Sequence, residues 1–188
     1  AGTVITFPDR PHPRLGKLQF SFGIIGDTHI NQSENESTSP YICNRLANGR
    51  ARWVVDCLNR HDVDFTIHLG DVVNPVPHLE SCGEAIECFR SIFSKLKSPL
   101  HVIPGNHDIG DKPVDWMPAS NVNDRFIRHY EESHGRHYSL IAHRGCRFVF
   151  LNAQLFNSGH QAEREQRCWL ESELEASGGQ RSFVFMHY

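Results

Sequence analysis

The sequence predicts an α/β domain with substantially parallel strands, on three observations. Short apolar runs rich in Phe, Val and Ile alternate with amphipathic stretches, the pattern of βα units that pair in parallel. Four of those runs end in a turn carrying a carboxylate, an imidazole or an amide, and ligands collect beyond the carboxyl ends of strands in such sheets. Hydrophobic residues make up 39% of the 188 and charged residues 22%. That supplies a core and excludes a disordered chain.

The elements follow in order. Residues 1–19, with Pro8, Pro11 and Pro13 and no periodicity, read as an extended N-terminal segment, and 20–188 as the domain. Phe20 to Ile25 is a strand, and the polar stretch from Asn31 to Pro40 is a loop. Arg50 to Arg60 reads as a helix with Trp53, Val54, Cys57 and Leu58 on its inner face. Phe65 to Leu69 is a second strand. Ala85, Ile86, Phe89, Ile92, Phe93 and Leu96 mark an amphipathic helix, and Leu100 to Ile103 a third strand. A loop rich in Pro and Asp leads to a helix over Val122 to Ser133. Tyr138 to Ala142 and Arg147 to Leu151 flank His143-Arg144-Gly145-Cys146 as a hairpin. Gln161 to Ala176 is a helix with Trp169, Leu170 and Leu174 inward and Glu163 paired to Arg167 outward. Gly178 stops it, and Ser182 to Met186 is the last strand.

Charge and cysteine content narrow the partners. Nineteen Lys and Arg against 22 Asp and Glu leave a formal charge of −3, which offers no footprint for duplex nucleic acid or an anionic membrane. Runs such as Phe148-Val149-Phe150-Leu151 are far shorter than the roughly 18 residues of a membrane span. The opening Ala1-Gly2-Thr3-Val4 shows no export signal. The six cysteines form no Cys-x-x-Cys pair and read as reduced thiols, which places the protein in the cytoplasm.

The chemistry sits after the strands. Asp27 and His29 follow the first, Asp71 the second, Asn106, His107 and Asp108 the third, and His187 the last. Side by side, those ends would bring Asp27, His29, Asp71, Asn106 and His187 into one crevice. Oxygen and nitrogen donors without a thiolate suit manganese, iron or zinc in a reactive rather than a structural site. A carboxylate such as Asp71 can bridge two ions in phosphoryl displacement. A lone Asp at a strand end is ordinarily a turn former; four motifs in order reverse that reading. His68 and His101 lie within strands and read as structural. Trp53, Phe89 and Trp169 read as core.

Gly26-Asp27-Thr28-His29, Gly70-Asp71, Gly105-Asn106-His107-Asp108 and the apolar strand ending at His187 resemble the successive motifs of the calcineurin-like metallophosphoesterases. Gly105 to Gly110 and Leu151-Asn152-Ala153-Gln154 are also similar to the branch with the serine/threonine and purple acid phosphatases. The resemblance implies a four-layer α/β/β/α sandwich and a dinuclear centre. It assigns Asp27 and His29 to one metal, Asp71 to the bridge, and Asn106 and His187 to the second metal. His107 would protonate the leaving oxygen or stabilise the phosphoryl group, oriented by Asp108. The implied reaction is hydrolysis of phosphate mono- or diesters by metal-activated water. The alternative is a non-catalytic scaffold, and the presence of His107 favours the enzyme. The resemblance also implies a Gly-His-x-His motif downstream of His187. His134-Gly135-Arg136-His137 and Gly159-His160-Gln161-Ala162 do not match it. The expectation is therefore a chain that stops short of the domain's last strands.

Overall fold

A computed structural model describes residues 16–112 and 120–188. The first fifteen residues of the expected N-terminal segment, and part of the Pro- and Asp-rich loop, lie outside the described residues. β1 (Phe22–Ile25), β2 (Phe65–His68) and β3 (Leu100–Val102) form a parallel sheet in that order. β2 is buried at all four positions, as a central strand covered on both faces must be. Its Thr66 and His68 face α1 (Ala47–His61) and α2 (Cys82–Phe93), whereas Phe65 and Ile67 face the second sheet.

The second sheet has the order β4 (Ser139–His143), β5 (Cys146–Phe150), β6 (Arg181–Phe185), with β4 antiparallel to β5 and β6 parallel to it. The expected four-residue connection of the hairpin is tighter, because His143 pairs with Cys146 and only two residues turn the chain. Arg144 and Gly145 both have positive φ, 47° and 79°. Two such residues make the turn whose twist matches the flanking strands.

The two sheets meet over an aromatic core. Phe148 is fully buried, edge-on to Phe20, Phe22 and Phe65 and stacked against Phe183 and Phe185. Phe22 stacks on Phe65 with ring centroids 5.3 Å apart. On the far face of the first sheet, Ala51 and Val55 of α1 pack with Ala85, Ile86, Phe89 and Phe93 of α2. α5 (Gln161–Glu175) lies against the second sheet through Trp169 on Tyr138 and Glu173 on Arg147. Helices thus flank both sheets, and the four layers expected from the sequence are present. α4 (Asp124–His134), capped by the Asn123 side chain on Phe126 N, packs with the short α3 (Asn106–Ile109) through Ile109, Ile127 and Tyr130.

Two core assignments are corrected. Trp53 is 53% exposed, because the face of α1 turned to the sheet is Ala47, Asn48, Ala51 and Val55. Small residues there let the helix lie close, and Trp53 lies on the other side. Leu174 is 47% exposed, and the buried position of α5 is Gln166. Its amide clasps the Asn152 backbone, accepting from N at 2.9 Å and donating to O at 3.1 Å. A satisfied polar clamp takes the inward place that periodicity gave to leucine. All six cysteines are free thiols. Among the described residues no helix is long and apolar enough to cross a membrane.

Candidate metal centre

The ends of β1, β2 and β3 are tied together past the point where regular pairing stops. Asp27 N, His29 N and Ile30 N donate to the carbonyls of Gly70, Asp71 and Val72, each at 3.0 Å. The price of this arrangement is backbone strain: Asp27, His29 and Asp71 have φ of 54°, 42° and 52°. Left-handed non-glycine residues cost about 1–3 kcal/mol each and cluster at functional sites. Glycines allow the close approach. At Gly70 (φ 95°) a side chain would meet Gly105 Cα at 2.8 Å, and at Gly105 it would collide with Asp71.

Asp71 is buried and central. Its Oδ1 accepts from His107 N at 3.0 Å and lies 3.6 Å from His187 Nε2, while Oδ2 lies 3.5 Å from His29 Nε2. His187 Nδ1 is 2.8 Å from the Leu69 carbonyl. A carbonyl only accepts, so Nδ1 carries a proton, and in the neutral ring Nε2 presents its lone pair to the carboxylate. In that neutral form two acceptors face each other, and they repel unless a proton or a metal cation lies between them. Histidine ligands are ordinarily held in this way, by a carbonyl at the other ring nitrogen. His29 adds a second sign, since its Nδ1 is buried without a hydrogen-bond partner among the described residues. Burial, with His107 nearby, pushes the His29 imidazole below its usual value against the pull of Asp71. The donor set therefore fits metal ions.

Ligand atoms collect in two groups that share Asp71: Asp27, Asp71 and His187, and His29, Asp71 and His107, with the atoms of each group within 4.8 Å of one another. This differs from the implied partition, which placed Asp27 with His29 and kept His187 apart. Asn106 is buried at the first residue of α3, beside His107.

The role expected of Asp108 is corrected. Its carboxylate does not hold His107; Oδ1 accepts from Val72 N and Oδ2 from Gly105 N, both at 2.9 Å. It is a buried clamp between the loops after β2 and β3. Burial and the charge of Asp71 raise its pKa to about 8 despite those backbone donors. What orients His107 is the Asn74 carbonyl, 3.2 Å from Nδ1, which leaves Nε2 as the free ring nitrogen. The Asn74 side chain donates to Thr38 Oγ1 at 2.5 Å. Asn74 gave no sequence signal, because its backbone oxygen does the work.

Two histidines of the near-miss motifs, His160 and His137, are engaged elsewhere. His160 Nδ1 accepts from Ala162 N and caps α5, while Nε2 faces Asp124. His137 faces Glu131 and Asn152. His68 is fully buried and structural, as expected: burial holds its pKa down to about 3.

The chain is similar to several known proteins. A glycerophosphodiester phosphodiesterase GpdQ of Enterobacter lignolyticus is 27% identical over 175 residues, which is 87% of this chain and 55% of that protein. A probable GpdQ of Arcobacter nitrofigilis is 24% identical over 127 residues, 66% of this chain and 41% of its own length. The chain thus spans about half the length of these curated relatives. Among solved structures, a dimetal phosphatase from Danio rerio superposes with a TM-score of 0.57 at 14% identity, over 89% of this chain and 69% of that one. This likeness carries the fold. The model of the calcineurin-like phosphoesterase family matches residues 20–188, every donor above included, and the chain belongs to that family.

Proposed function

We propose that the protein hydrolyses phosphate esters, diesters first, at a dinuclear centre held by Asp27, His29, Asp71, Asn106 and His187. The observation that carries this reading is His187 Nε2 turned toward the Asp71 carboxylate at 3.6 Å while Nδ1 is held by the Leu69 carbonyl. Manganese, iron or zinc suits the mixed oxygen and nitrogen set. Ions bound there supply charge neutralisation of the phosphate oxygens and activation of the attacking water. The names of the two curated relatives point to diesters.

His107 is the general acid of this proposal. With Nδ1 donating to Asn74 O, a proton on Nε2 is positioned for the leaving-group oxygen. Its backbone N–H fixes one oxygen of Asp71, so the acid and the bridging carboxylate keep their spacing. Asp108 acts through the loops it ties. His107 in that place supports the enzyme over a non-catalytic scaffold.

The test uses the full-length protein. Metal content is measured, and bis-p-nitrophenyl phosphate is compared with p-nitrophenyl phosphate in added manganese. The reading expects bound metal, faster turnover of the bis ester, and losses of about 100-fold or more in Asp71→Asn and His107→Ala. A folded protein that binds no metal refutes the centre, and unchanged turnover in both variants refutes the roles.

A further inference from the structure

We infer that Thr28 and His68 are positioning residues that set the distance between the metal donors of the first and second loops, an inference that rests on the reading above. Gly70 N lies 3.1 Å from His68 Nδ1. A backbone N–H only donates, so Nδ1 is the acceptor and the proton of the neutral ring sits on Nε2. That proton goes to Thr28 Oγ1 at 2.9 Å, and the Thr28 hydroxyl donates in turn to Val72 O at 2.8 Å. Each bond therefore has one permitted direction: Gly70 N–H to His68, His68 to Thr28, Thr28 to Val72.

The chain touches the residues on either side of the donors and none of the donors themselves. Thr28 stands between Asp27 and His29, while Gly70 and Val72 flank Asp71, and all three donors are left-handed. The His68 ring is held by edge contacts with Phe89 and Phe93 of α2, at centroid distances of 5.9 and 5.8 Å. The helix layer thereby fixes the imidazole, and the imidazole fixes how far the first loop lies from the second. A hydroxyl is required at position 28, because it must accept from one side and donate to the other. Valine fills the same volume and can do neither.

The experiment measures manganese affinity by calorimetric titration of chelator-stripped full-length protein, with apo thermal stability recorded alongside. Thr28→Val is expected to weaken binding about 10–100-fold, the usual effect of removing an outer-shell partner. Thr28→Ser, which keeps the hydroxyl, is expected to recover binding to within a few-fold. Val55→Ala, in the helix core, supplies a destabilised control whose affinity stays at the wild-type value. Should Thr28→Val bind manganese as tightly as wild type, the inference is overturned. An equal loss in Val55→Ala overturns it too, since general destabilisation would then suffice. Wild-type protein that binds no manganese, iron or zinc defeats the underlying reading instead, and the two failures are distinct.

Discussion

Replacing Gly105 by alanine perturbs the site while leaving every donor side chain in place. The added methyl would collide with Asp71 N and Oδ1, and its carbon would lie 3.0 Å from Asp71 Cγ. Carbon atoms in contact prefer about 3.5–4.0 Å, so Asp71 or the turn at Gly105 must shift by roughly 1 Å. Neither can yield alone: His107 N and the Asp108 carboxylate bind the turn to Asp71 and Val72. Metal–donor distances are held to about ±0.2 Å, and a 1 Å misplacement costs about 100-fold in rate. G105A is therefore expected to lower kcat/KM for the bis ester about 100-fold and to weaken manganese binding. Overpacking should also remove about 1–3 kcal/mol of stability. Gly83→Ala is the control, since a side chain there meets nothing within 4 Å on α2; it should leave binding intact and gain up to about 1 kcal/mol. Wild-type affinity and turnover in G105A would refute the claim that this contact places Asp71.

Adding manganese to stripped protein at about 100 times its dissociation constant should stabilise the fold by about 2.7 kcal/mol per site, and a Tm that does not rise contradicts the centre. Phe148→Ala empties the middle of the inter-sheet core and should cost about 3–5 kcal/mol in denaturant unfolding; a loss below 1 kcal/mol would mean the sheets are not held there. Burial lowers the His134 pKa from 6.5 to about 4. The unfolded chain then takes up a proton that the folded one refuses, so stability is lost as pH falls from 6.5 toward 4, by at most about 3 kcal/mol. His134→Gln should flatten that acid limb in stripped protein and leave neutral stability little changed by ionisation. An acid limb of unaltered slope rules His134 out as a contributor.

The legible part of the sequence was the part written in hydrophobic periodicity and in side-chain chemistry. Phe65 to Leu69 read as a strand because four of its five positions are apolar or β-favouring, and β2 is buried throughout. Asp71, His107 and His187 were visible as polar residues closing apolar runs, and Asp71 lies at the junction of both donor groups. Periodicity failed on Trp53 and Leu174 because it counts apolar residues and does not see which face has small ones. Ala47, Ala51 and Val55 let α1 approach the sheet, and Gln166 found a backbone partner that leucine could not use. The orienting partner of His107 was missed for another reason. Sequence motifs name side chains, so a neighbouring carboxylate was the natural candidate, whereas the acceptor is the Asn74 carbonyl. The Thr28–His68 chain was half visible: a histidine inside a buried strand demands partners on two sides, but not which ones.

The conformational cost of the site and its function have the same origin. Three left-handed donors, a neutral His187 imidazole set against a carboxylate, and a buried Asp108 whose pKa is pushed up to about 8 would each be unfavourable for a chain without ions. Local sequence preference would release all of them. They persist because the backbone zipper from Asp27 to Val72 and the Asp108 clamp tie the loops to two sheets that share one aromatic core. The sheets therefore do more than display the donors, since they hold them in positions the loops would not choose. A cation between His187 and Asp71 would turn the repulsion into attraction without moving either residue. Binding then requires little rearrangement, and preorganised donors of this kind give affinity at small entropic cost.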